Sequence, residues 1–185
     1  QQAGYVEQTP GVTHAALWSG TAQSWVDLHP QGFSGSMAGG VWGSQQVGAA
    51  YLPTGDKFAG LWNGSASSWV NLHPSGWQTS SATATNGQYQ VGATEGIGFG
   101  TGRAALWQGT AASWFNLGAV LPSHYAGSVA CAGDGSAGSL VVGGFARNTL
   151  TGEYEAILWA QVPSPGTLAW IAAAGALLGS RRRRS

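Results

Sequence analysis

His29 and His73 stand at equivalent points of an internal repeat, each followed by proline and each preceded two residues earlier by Asp27 or Asn71. A hydrolase or lyase needs His, Asp, Glu, Arg or Tyr side chains converging on one point, so these are the first candidates for chemistry. The third copy carries Gly118 and Asn116 at the two positions. A His-Pro that recurs after a strand reads as a turn fixing a corner, with a ligand role as the alternative. Asp27, Asn71 and Asn116 read as residues that hydrogen-bond the neighbouring turn.

The remaining candidates are few. Glu153 and Glu155 flank Tyr154 and share one side of a strand. Paired acids divide acid and base roles only in opposed environments, and the surrounding sequence supplies none. Gly98-Phe-Gly-Thr-Gly102 superficially resembles a phosphate loop, but it lies between two expected strands and opens no helix, so a surface loop is expected. No Gly-x-Ser-x-Gly elbow, His-Glu-x-x-His helix, P-loop or EF-hand loop occurs. Cys131 is the sole cysteine, which rules out an internal disulfide; without a Cys/His cluster around it, a small buried strand residue is expected. No catalytic residue, metal site or cofactor is expected.

The composition points to short strands and tight turns. Charged residues are 8% of 185, against 31 glycines and ten tryptophans, a mixture poor in the residues that favour long helices. Four of the seven basic residues are Arg181, Arg182, Arg183 and Arg184; without them three basic residues face seven acidic ones, a net charge of −4. A body of that charge offers no basic face to phosphates, so nucleic acid is excluded as a partner.

A unit recurs about every 44 residues: His14-Ala-Ala-Leu-Trp18, Phe58-Ala-Gly-Leu-Trp62, Arg103-Ala-Ala-Leu-Trp107 and Glu155-Ala-Ile-Leu-Trp159. A second tryptophan follows in the first three, as Trp25, Trp69 and Trp114. Upstream lies Gln45-Gln-Val-Gly48, Gln88-Tyr-Gln-Val-Gly92 or Leu140-Val-Val-Gly143, and Gln1-Gln-Ala-Gly4 reads as the same element already under way. One unit reads as four strands, at 36–41, 45–52, 58–62 and 68–72, by period-two alternation. Asn63-Gly64, Asn86-Gly87 and Asp134-Gly135 supply the positive-φ residue that a tight turn requires.

Such units predict an all-β fold of four-stranded antiparallel blades, β-propeller-like and partial, over residues 1–160. The recurrent tryptophans are expected to pack between blades. The first unit lacks its first strand and the last its fourth, leaving fourteen expected strands. With no initiator Met and no leader at Gln1, earlier blades are expected upstream.

Residues 161–185 differ in kind. Val162-Pro163-Ser164-Pro165 precedes an uncharged stretch, expected as a short transmembrane helix at 167–180, and the four arginines follow. Two prolines are expected to end the sheet. Thirteen uncharged residues, 167–179, span only about 20 Å as a helix, short of a ~30 Å hydrocarbon core, so snorkelling arginines and a thinned bilayer are invoked. Arginines facing an anionic cytoplasmic leaflet place the repeats outside.

Two resemblances follow from these residues. The Ala-Leu-Trp, Ser-Trp-Val-Asp-Leu and Gln-Val-Gly strands resemble the HAF-type extracellular repeat of bacterial proteins over roughly 1–160, departing at Ala16, Gly60, Ala105 and Ile157, where that signature has Phe. The order of prolines, apolar stretch and arginines resembles the PEP-CTERM sorting signal, departing at Ser164, where the family has Glu. The second resemblance implies processing by a membrane-embedded exosortase, display at the cell surface or release, and company with exopolysaccharide. The expected function is a noncatalytic binding or structural role in the extracellular matrix, with Trp42 and Trp77 as candidates for stacking on extracellular polysaccharide. The alternatives are the C-terminal part of a carbohydrate-active propeller enzyme and a protein-interaction scaffold.

Overall fold

A computed structural model describes residues 1–96, 101–136, 138–164 and 167–175. The first sheet holds β1 (Gln2–Thr9), β2 (Val12–Trp18) and β3 (Val26–Asp27). The second is β4 (Gly35–Trp42), β5 (Gln45–Tyr51), β6 (Lys57–Trp62) and β7 (Val70–Asn71). The third is β8 (Thr79–Thr85), β9 (Gln90–Glu95), β10 (Arg103–Trp107) and β11 (Phe115–Asn116). The fourth is β12 (Tyr125–Asp134), β13 (Val141–Asn148), β14 (Tyr154–Ser164) and β15 (Thr167–Gly175). Every sheet is an antiparallel meander in chain order, which is the blade architecture expected from the repeat.

The sheets stack through their first strands. β4 packs on β1 and β2, β8 on β5 and β6, and β12 on β9 and β10. Three apolar clusters fill the gaps: Leu17, Leu28 and Trp62 between the first two sheets, Leu61, Leu72 and Trp107 between the next two, and Leu106, Leu117 and Trp159 in the last. Trp62, Trp107 and Trp159 are wholly buried, so the Leu-Trp strands are inter-blade core. Among the described residues no strand of the first sheet packs extensively on the fourth, and the array is open.

The Gln-Val-Gly element has a steric cause. Each first strand carries a bulge after Ala38, Ala82 or Ala130, and the glycine paired with that alanine is Gly48, Gly92 or Gly144. A Cβ on any of the three would stand 2.0 Å from a carbonyl oxygen of the bulged strand, of Met37, Ser81 or Val129. The fourth unit is therefore offset by one residue from the sequence alignment: Gly144, and not Gly143, fills the role.

Several expectations are corrected. The fourth strand of a unit shrinks from 68–72 to two residues, because a single 3-10 turn, Ala66–Ser68 in the second unit, precedes it. Gly20, Gly64 and Gly109 do adopt positive φ, but they open this longer connection and not a two-residue hairpin. The described residues form fifteen strands, one more than the fourteen expected. The extra one is β15: residues 167–175 of the expected transmembrane helix are a strand hydrogen-bonded along β14, from Ser164 with Thr167 to Ala156 with Gly175. Without it β14 would present a bare edge, and an uncharged Ala-rich segment directly behind it pairs at little entropic cost.

No helix among the described residues is long and apolar enough to cross a membrane. Nor does Pro163 end the sheet. β14 runs through Pro163, because beyond Gln161 the β13 side has no strand to which an N–H must donate.

Candidate functional site

The histidines sit at the seams between sheets. Ser36, wholly buried at the start of β4, accepts the Ala15 N–H of the preceding sheet at 2.9 Å and meets His29 Nδ1 at 2.9 Å. The second seam repeats this: Ser80 accepts the Ala59 N–H at 2.8 Å and meets His73 Nδ1 at 2.8 Å. His73 Nε2 donates to the Trp77 carbonyl at 3.1 Å, so Nδ1 carries the lone pair and the Ser80 hydroxyl donates to it. The serine hydroxyl is thereby spent twice, once as acceptor and once as donor, and it is sealed from solvent. It is a clamp between blades and not a nucleophile.

The residue leading each Leu-Trp strand completes the seam. His14 stacks on His29 with centroids 4.0 Å apart, and Phe58 stacks on His73 at the same distance. In the third seam Ser128 again accepts an N–H, from Ala104 at 2.9 Å. No ring is present there: a Cβ on Gly118 would stand 2.9 Å from the Arg103 Cδ, so the arginine stem takes the space of the stacked pair. Arg103 donates to the Gly102 carbonyl at 2.9 Å.

Burial lowers the pKa of both seam histidines. At His29 the neighbouring His14 lowers it further, against a backbone acceptor at Phe33 and the charge of Asp27. At His73 desolvation outweighs the acceptor at Trp77 and the charge of Asp56. Asp27 accepts the His29 N–H at 2.8 Å and is hydrogen-bonded to His14 Nδ1 at 2.9 Å. Asn71 accepts the His73 N–H in the same way at 2.8 Å. The turn-capping role expected of Asp27 and Asn71 is what the geometry displays; the buried Asn116 Oδ1 has no hydrogen-bond partner among the described residues.

Of the paired acids, only Glu155 has side-chain hydrogen bonds among the described residues. Glu155 accepts from the Tyr125 hydroxyl and from Asn148 Nδ2, which together hold its pKa below the usual range, while Tyr125 is pushed up by the same hydrogen bond. Cys131 is exposed, against the expectation of burial, because it is the extra residue of the β12 bulge and turns outward. No three His, Cys, Asp or Glu side chains among the described residues group to hold a metal. Of the expected glycine loop only Thr101 and Gly102 are described.

The two candidate tryptophans part company. Trp77 is the counterpart of Phe33; its ring lies 5.5 Å from Trp114 at 59°, as Phe33 lies 5.6 Å from Trp69. It is half-buried in repeated packing, which the alignment of variable segments concealed. Trp42 is 60% exposed at the end of β4, against Gly87 of the next sheet. Beneath it, Gln45 Oε1 accepts from Thr85 and from Gln90 Nε2, and Asn86 Nδ2 donates to the Gly135 carbonyl at 2.8 Å. A flat ring thus stands on a hydrogen-bonded ridge of turn residues from three successive sheets. Of the sorting motif, Val162, Pro163 and Ser164 close β14; Pro165 and Arg181–Arg184 lie outside the described residues.

The fold and these seams define an all-β array of propeller-like blades. No family model, curated protein or solved structure matches the chain.

Proposed function

We propose that the chain is a noncatalytic binding protein, exported and displayed at the cell surface or released, whose stacked meanders hold extracellular polysaccharide. The observation that carries this reading is Trp42. A large apolar ring left 60% exposed, and fixed over amide and hydroxyl groups, is suited to stacking on the C–H face of a sugar while neighbours exchange hydrogen bonds with its hydroxyls. The groups best able to do acid–base chemistry are engaged in turns and seams, which favours binding over catalysis.

The outside location rests on the resemblance of residues 162–185 to a sorting signal, with an exosortase-type enzyme and the membrane as partners. In that reading, processing draws β15 away from β14, since the residues entering the membrane are those that complete the fourth sheet. The test expresses the tagged chain behind a cleavable secretion leader in an exopolysaccharide-producing Gram-negative host. Surface protease access that is lost on deleting 162–185, and matrix retention that is lost in Trp42→Ala, are expected. Retention unchanged by Trp42→Ala refutes the binding reading, and surface access unchanged on deleting 162–185 refutes the sorting reading.

A further inference from the structure

Where β9 ends and β12 begins, the third and fourth sheets part to leave a cleft of about 610 Å³. The corresponding gap between the first and second sheets is about 390 Å³ and no charged side chain lines it. The strands beside the two clefts also differ. β12 carries a bulge at Gly127 in addition to the one at Cys131, whereas β4 and β8 carry only the latter kind. Gly127 reaches φ +77°, which a residue with a Cβ resists, and the extra residue interrupts the ladder to β13 at the start of β12.

We infer that this cleft binds an acidic saccharide through a hexuronate carboxylate. Arg147 lines it from β13 and its side chain makes no ion pair or hydrogen bond among the described residues, so its planar fork of donors is open to a carboxylate. Phe145 lies two residues away on the same face of β13, and Tyr154 is the cross-strand partner of Arg147. The two rings meet edge to face at 5.7 Å and remain 38% and 68% exposed. They offer an apolar surface to a sugar ring beside the site of its charge.

The opposite wall is polar. Among the described residues the Glu95 carboxylate accepts only the Thr79 hydroxyl, at 3.3 Å, and keeps lone pairs for sugar hydroxyls, while Gln78 adds an amide. One guanidinium facing one carboxylate does not suit a polyphosphate, and nothing in the lining forms an apolar socket for a peptide side chain. An acid group for Arg147, a C–H face for the rings and hydroxyls for Glu95 satisfy all three surfaces at once. This deepens the polysaccharide-binding role and rests on it, but through residues remote from Trp42.

The test titrates the whole chain calorimetrically with oligogalacturonate, its methyl ester and alginate oligomers. At least one acidic oligomer is expected to bind, weakening with added salt. The methyl ester of oligogalacturonate is expected to bind about tenfold more weakly than the acid, as befits loss of a charged hydrogen bond. Arg147→Gln is expected to erase the preference for acid, and Phe145→Ala to weaken acid and ester alike; both sites are exposed, and a thermal melt verifies folding. Absence of binding by every acidic oligomer, equal affinity for acid and ester, or a preference surviving Arg147→Gln overturns the inference. Matrix retention that depends on Trp42 without any oligouronate binding would sink the cleft alone and leave the broader binding role intact.

Discussion

Gly60 lies beneath the indole of Trp69, and the ring fills the space that a side chain would occupy: a Cβ there would stand 2.0 Å from Cη2 and 2.2 Å from Cζ3. Trp69 can therefore lean on Trp62, with centroids 4.6 Å apart and planes at 54°. The first and third sheets carry the buried Ala16 and Ala105 at this position, and among the described residues no such indole pair forms there. Gly60→Ala is expected to push Trp69 off Trp62 and destabilise the protein by about 1–3 kcal/mol, the usual cost of overpacking. Near-ultraviolet circular dichroism and the denaturation midpoint read both effects; an unchanged aromatic spectrum would contradict the packing.

Adjacent glycines in β13 separate steric need from mere abundance. A Cβ on Gly144 would meet the Val129 carbonyl at 2.0 Å, whereas one on Gly143 meets nothing within 4 Å. Gly144→Ala is expected to cost more than about 2 kcal/mol by forcing β12 and β13 apart, and Gly143→Ala less than about 1 kcal/mol. Urea titration of the two variants decides it, and equal costs would disprove the offset in register.

Removing the clamp at the second seam orphans a buried donor. In Ser80→Ala the Ala59 N–H loses its acceptor and His73 Nδ1 its donor. A loss of about 1–3 kcal/mol is expected, with faster amide exchange at Ala59. Ser80→Cys, which retains a weak donor and acceptor, should recover part of the loss.

The seam histidines make stability depend on pH. Their folded-state pKa values lie below the ordinary 6.5, so the folded chain binds fewer protons than the unfolded chain as pH falls past that value. Their contribution is present at higher pH and is lost progressively in acid. The denaturation midpoint is expected to drop between about pH 7.5 and about pH 5. Nuclear magnetic resonance titration should place both imidazole midpoints below 6.5. His14→Phe, which copies the Phe58–His73 stack, should raise the His29 midpoint; a midpoint that stays or falls denies the His14 repulsion.

The strand at 167–175 is open to direct inspection. Opposed α-protons of Trp159 and Ala172, or of Gln161 and Trp170, are expected to give cross-strand Overhauser contacts in the whole chain in solution. Sequential helical contacts over the same residues would contradict the sheet.

Much of the architecture was legible because the repeat is strict. Trp18, Trp62, Trp107 and Trp159 mark the same strand four times, and turn glycines mark the meander between them. Positions next to bulges were not legible, since one inserted residue reverses the facing of what surrounds it. That is why Cys131 turned outward and why Gly144 replaced Gly143. The seam serines were visible in principle: Ser36 and Ser80 each follow the seam histidine by seven residues. Their partners lie on the preceding sheet, so the spacing had no evident meaning.

Sequence alone determined the blade, its period and its core, because alternation and turn chemistry are local properties that a short segment carries with it. Tertiary structure decided which residues are occupied and which are left over. Trp77 is taken up by Trp114, and the histidines by serines of the next sheet. Residues 167–175 became a strand because β14 has an edge to fill, a demand that no local hydrophobicity encodes. Arg147, Phe145 and Glu95 line one cleft because two sheets far apart in sequence are stacked on each other.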